Sequence, residues 1–156
     1  MTVFVPLTLS AAQALRSSGS AHDLIGYAAG AALRGWLDDA RLDDEEAEYV
    51  ALNHAGIAAL TLDDSTATRI VLAVDQDAPD GDELGAVTVS RLNWTEVRSL
   101  FADESTAATA VLAARTAVRG LDLAVALAAP SVEDLQESHD LLWFAPEELD
   151  AIPTST

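Results

Sequence analysis

The run Ile70-Val71-Leu72-Ala73-Val74-Asp75, followed by Ala86-Val87-Thr88-Val89-Ser90 and then by Val97-Arg98-Ser99-Leu100-Phe101, decides the fold class of this chain. Ile70, Leu72 and Val74 recur at every second position, and Val87 and Val89 share a face. Period-two spacing over short runs marks strands with one buried face. Residues 76–84 are polar and carry Pro79 and Gly81, which reads as a loop between the first two strands. Asn93-Trp94-Thr95 then turns the chain into the third. Strands that follow one another without an intervening helix do not fit a regular β-α alternation. They predict an α+β fold, with a mixed or mainly antiparallel sheet and helices packed mainly on one face.

Working outward, Val3, Val5 and Leu7 form a first strand, with Pro6 placing it at an edge or near its own end. Ser10 and Gln13 make a capping-box pattern for a short helix that stops at Ser17-Ser18-Gly19. Leu24 to Ala29 reads as a second strand, and Leu33, Trp36, Leu37 and Ala40 repeat at helical spacing. Asp43 and Glu46 open the clearest helix, whose apolar face holds Val50, Ala51, Ile57 and Ala58, with His54 at its edge. Asp103 is expected to cap a helix from Glu104 to Arg119, with Gly120 just beyond its end. Leu121, Leu123, Val125 and Leu127 alternate with Asp122, Ala124 and Ala126, which predicts a strand. Pro130 starts a short helix through Glu137, and Leu141 to Ala145 is a last strand. A chain of 156 residues is one ordinary domain, here 1–152, with 153–156 a frayed tail.

The chain has no lysine and no cysteine, and its net charge is −18. A phosphate-loop or Schiff-base lysine, a thiol nucleophile, thiolate-bound zinc and a disulfide are therefore all excluded within it. So acidic a surface repels nucleic acid and anionic membranes, and leaves basic proteins and cations as the favoured company. Lysine-free acidity fits a GC-rich genome, with adaptation to a salty cytoplasm as the alternative. The first basic residue is Arg16 and Pro6 interrupts the apolar N-terminal run, so a signal peptide is not expected. With no run approaching the ~20 apolar residues of a membrane span, the chain reads as cytoplasmic.

Several residue groups invite chemistry. Asp75, Asp77, Asp80 and Asp82 around Gly81 are the densest carboxylates, and hard oxygens on a tight loop suit a divalent cation. The spacing does not fit an EF-hand, and the alternative is a solvated hairpin connection. Asp63-Asp64, Asp38-Asp39 and Asp43 to Glu46 resemble paired magnesium ligands, but capping and solvation explain most of them. The pairs His22-Asp23 and His139-Asp140 sit in segments 21–28 and 138–145 that match at several positions. Neighbouring strands there would bring the two imidazoles together; the alternative is chance similarity in an alanine- and leucine-rich chain. His54 reads as a hydrogen-bonded, partly buried histidine. Trp36, Trp94 and Trp143 are the interface candidates.

Val3-Phe4-Val5-Pro6-Leu7-Thr8, Ala32-Leu33-Arg34, Glu48-Tyr49, and His139-Asp140-Leu141-Leu142-Trp143-Phe144 with Glu147-Glu148-Leu149 together resemble a family of small acidic actinobacterial proteins known only as a domain of unknown function. The resemblance spans nearly the whole chain. It implies an actinobacterial cytoplasmic protein and carries over no activity or site residue.

The expectation is then a non-enzymatic interaction or regulatory domain, with a protein partner or self-association through a tryptophan-bearing surface. No cofactor, nucleic acid or membrane is expected. The competing class is a small metal-dependent enzyme or ligand binder, using a divalent cation at Asp75, Asp77, Asp80 and Asp82 or the two His-Asp pairs. A nucleic-acid mimic needs carboxylates in rows, whereas these cluster in loops and helix starts.

Overall fold

A computed structural model describes residues 1–39, 41–64, 66–78 and 81–153. The chain runs β1 (Thr2–Leu7), α1 (Leu9–Ser18), β2 (Ser20–Tyr27), α2 (Ala31–Leu37), α3 (Asp44–Thr61), β3 (Ile70–Asp75), β4 (Ala86–Asn93), β5 (Val97–Ala102), α4 (Ala108–Val118), α5 (Leu123–Ala126), α6 (Pro130–Ser138) and β6 (Leu142–Phe144). The six strands form one sheet in the order β4-β2-β1-β3-β5-β6, with every neighbouring pair antiparallel. The fold is α+β.

Alternation along the strands divides the core into two faces. Val3, Val5, Leu72, Val74 and Leu100 point to one side, where Ala12 and Leu15 of α1 and Leu149 and Ile152 of a C-terminal 3-10 turn cover them. Phe4, Val71 and Ala73 point to the other, against Ala51, Leu52, Ala55 and Ala58 of α3 and Leu33 of α2. Behind α3, Ile57 and Leu60 meet Val111, Ala114 and Val118 of α4 and Val132 and Leu135 of α6. The C-terminal half of α3 is thus buried nearly all round, as a helix between two layers must be.

The three directly successive strands lie where their alternation places them. Asp43 accepts from Glu46 N at 2.8 Å while Glu46 Oε2 accepts from Asp43 N at 3.2 Å, so the capping box that opens α3 is present. The first helix is capped by Thr8, not Ser10: Thr8 Oγ1 accepts from Ala11 N at 3.0 Å. Pro6 is near the end of β1, but β1 is central and not an edge. The second strand begins earlier than expected, at Ser20, because Gly19 at φ 90 turns the chain straight out of α1.

Two expectations fail instructively. Residues 121–127 contain helix α5 and no strand. The period-two pattern there counted alanines as the outward positions, yet Ala126 is fully buried, and leucine and alanine are strong helix formers. Asp103 does not cap a helix. It is fully buried and accepts from Arg69 N, Nε and Nη2 at 2.8, 2.9 and 2.7 Å, while a 3-10 turn at Ser105–Ala107 leads into α4. Arg115 is buried beside this pair and donates to the carbonyls of Ala59, Thr66 and Thr68. Pro153 is tied down through its carbonyl, which accepts from Thr68 Oγ1 at 2.8 Å; the rest of the expected tail lies outside the described residues.

Candidate functional site

The acidic loop joins β3 to β4. Asp75 faces the α-amino group of Met1 at 3.2 Å and Arg98 Nη2 at 3.4 Å. Asp82 Oδ1 accepts from Leu84 N and Ala86 N at 2.9 and 3.0 Å, which folds the loop back onto β4. Asp75 and Asp77 border an open polar depression of about 540 Å³ with Thr88, Ser90, Arg91 and Glu96. Asp80 lies outside the described residues. Among the described residues, no group of three or more histidines and carboxylates gathers in a metal-holding arrangement. Nor is there a helix among them long and apolar enough to cross a membrane.

The two His-Asp segments do not lie on neighbouring strands. His22 is in β2, opposite Arg91 of β4, whereas Asp140 leads into β6. Four strand steps separate β2 from β6, about 19 Å at the usual spacing. One ligand shell does not span that gap. His139 Nδ1 instead sits 3.3 Å from Glu104 Oε1, and Asp140 Oδ1 accepts from the Tyr49 hydroxyl at 3.3 Å. The Glu104 carboxyl is held below its usual range, first by the Thr106 hydroxyl and then by His139. Ser131, whose Oγ is buried with no hydrogen-bond partner among the described residues, lines the same depression as His139. Ser131 is in the first turn of α6 and His139 follows its last residue, eight steps or about 12 Å along the axis, and no hydrogen bond joins them as nucleophile and base.

His54 is buried in α3. Its Nδ1 lies 2.8 Å from the Leu84 carbonyl, and its ring meets Trp36 edge-on at 5.6 Å. Burial lowers its pKa from 6.5, against the Leu84 hydrogen bond and the Asp82 charge, which both raise it. The imidazole ties the acidic loop to the helical layer, and burial favours its neutral form.

The tryptophans separate by exposure. Trp94 is half-buried against the sheet core, Trp36 is 45% exposed over His54, and Trp143 is 60% exposed. Trp143 occupies the middle of β6, paired with Phe101 of β5, and its neighbour Leu142 is 41% exposed. Among the described residues no strand pairs with the outer side of β6, which makes it an edge of the sheet. Tyr49, also exposed, is joined to the same segment through Asp140. Carboxylates border the strand: Glu104 and Asp140 before it, Glu147 and Glu148 after it.

Trp143 is recognisable in the sequence as an anchor by its type, but its position on a sheet edge is not. Edge position is a property of strand order, and no local pattern in residues 141–145 encodes it.

Residues 1–152 match a family described as "Family of unknown function (DUF6912)". No curated protein and no solved structure matches the chain.

Proposed function

The chain belongs to that family of unknown function, so a role must come from its own geometry, and we propose that it is an interaction domain that captures a basic, extended protein segment on the β6 edge. The observation that carries this reading is Trp143, 60% exposed on a strand whose outer side no other strand pairs with among the described residues. An added strand would gain main-chain hydrogen bonds from such an edge, and an exposed indole supplies the apolar anchor on which binding energy concentrates. Charge selects the partner. The carboxylates around β6 and the net charge of −18 favour lysine- and arginine-bearing segments and oppose pairing with a second copy of the same chain.

The test is a fluorescence-anisotropy titration of a dye-labelled peptide alternating valine and arginine. Saturable binding that weakens steeply with salt, and that Trp143→Ser removes, supports the reading. Binding that ignores salt, or that survives Trp143→Ser unchanged, sinks it. A dimer that exchanges through β6 and excludes the peptide would replace the basic partner with self-association.

A further inference from the structure

The sheet is two ladders joined at one point. β2 keeps register with β4 from Ser20 opposite Asn93 to Tyr27 opposite Ala86, and β1 keeps register with β3 from Thr2 opposite Asp75 to Leu7 opposite Ile70. Between β1 and β2 the one register pair among the described residues is Phe4 with Tyr27. Continuing that ladder would set Pro6 against Ile25 and Thr8 against Asp23. Pro6 has no N–H to give, and Asp23 stands at φ 56, outside the strand conformation and in the left-handed region that costs a residue other than glycine. The two strands therefore part.

The gap is a cavity of about 370 Å³. Pro6, Leu7, Leu24, Ile25 and Tyr27 line it, and Ala58 of α3 contributes to its wall. Its lining is mainly apolar, with Thr8, Thr61 and Tyr27 as the uncharged polar residues among those described around it. Asp23 is the one charged residue among those described around it. Among the described residues the Asp23 carboxylate has neither a hydrogen bond nor an ion pair. Cavities of this size that are apolar apart from a few placed polar groups are the usual form of small-ligand sites.

We infer that the opening between β1 and β2 binds a small amphipathic cation, an alkylammonium whose chain lies among Pro6, Leu7, Leu24 and Ile25 and whose ammonium meets Asp23. The sign of the ligand follows from two charges. Asp23 supplies the local counter-ion, and the field of the whole chain concentrates cations and repels carboxylates. A fatty carboxylate of the same length would put its head against Asp23. The site is separate from the β6 edge, since β1 and β6 are three strand steps apart.

Amide chemical-shift titrations with octylammonium, octanol and octanoate test it. Octylammonium is expected to saturate shifts at Asp23, Leu24, Ile25 and Tyr27 and to bind about fivefold more tightly than octanol, the most that one exposed ion pair usually adds. Octanoate is expected to bind most weakly. Asp23→Asn should bring octylammonium down to the affinity of octanol. Ala11→Leu, which fills the cavity from α1, should remove all three ligands while leaving the β6 amides unshifted. Octanoate binding as tightly as octylammonium, saturation centred on Trp143, or an Asp23→Asn variant with unchanged affinity would each overturn the inference. Should Ala11→Leu not fold, the ligand series on the native chain and on Asp23→Asn decides it alone.

Discussion

Replacing Asp103 by asparagine puts a number on the polar cluster at the heart of the helix–sheet contact. Asp103 follows β5 and Arg69 precedes β3, so their pairing clamps the two strands just beyond Ile70 and Ala102, which lie opposite each other. The carboxylate takes three hydrogen bonds, at 2.7, 2.8 and 2.9 Å, and both side chains are almost wholly out of water. Asparagine keeps one acceptor, turns an NH2 group toward the guanidinium, and leaves the Arg69 cation uncompensated. Arg115 is buried alongside and loses one of the two carboxylates, Asp64 and Asp103, that favour its charged form. Breaking one side of a buried pair costs about 3–5 kcal/mol. That is a large part of the roughly 5–15 kcal/mol that holds a domain together. At about 2–4 °C per kcal/mol for a chain of this size, the midpoint should fall by about 10 °C. Urea unfolding and calorimetry measure it, with Asp150→Asn as the control. Asp150 pairs with Arg16 at 2.9 Å on the surface, and its loss should cost less than about 1 kcal/mol. If Asp103→Asn costs no more than that control, the reasoning is refuted. Arg69→Met combined with Asp103→Leu should recover part of the loss by removing both charges. Recovery stays incomplete because the Arg69 backbone N–H then lacks its acceptor.

His54 gives a pH dependence of determined sign. Its folded pKa is lowered below the unfolded 6.5 by burial, so between the two values the unfolded chain binds the extra proton. Stability from this group is complete above about pH 6.5 and is lost as pH falls toward the folded value. Urea midpoints between about pH 7 and pH 5 should drop more steeply for the native chain than for His54→Gln; parallel slopes would contradict the assignment. Gly26→Ala should cost about 1–3 kcal/mol, because an added Cβ collides with Val3 Cγ1 and crowds Val89 and Val5. Gly19→Ala meets no neighbouring atom within 4 Å and should pay only the left-handed conformation at φ 90, about 1 kcal/mol. Equal costs in thermal unfolding would show that the Gly26 packing argument is wrong. Trp143→Ser should leave the urea midpoint nearly unchanged, since the ring is largely in water already.

Local chemistry explains what was legible. Strands β1, β3 and β4 carry apolar residues at every second position, and helix α3 a capping box followed by a long apolar face, and these signals act over a few residues. The run 121–127 misled because alternating leucine and alanine satisfies a strand template, while burial of Ala126 behind α3 makes a helical turn the better use of it. Asp103 before a helical pattern looks like any N-cap; only tertiary pairing with Arg69, thirty-four residues away in sequence, reassigns it. The likeness between segments 21–28 and 138–145 is real at the residue level. Strand order nonetheless separates β2 from β6. Trp143 was recognisable as an anchor by its type. The open edge beside it and the parting of β1 from β2 depend on which strands become neighbours, and that follows from the whole chain.

Amide hydrogen exchange with and without the valine–arginine peptide tests the interaction account most directly. New protection should fall on the β6 amides at Leu142, Trp143 and Phe144, and Trp143→Ser should abolish it. Protection confined to β4, the opposite edge of the sheet, or binding without any change at β6, would contradict the account.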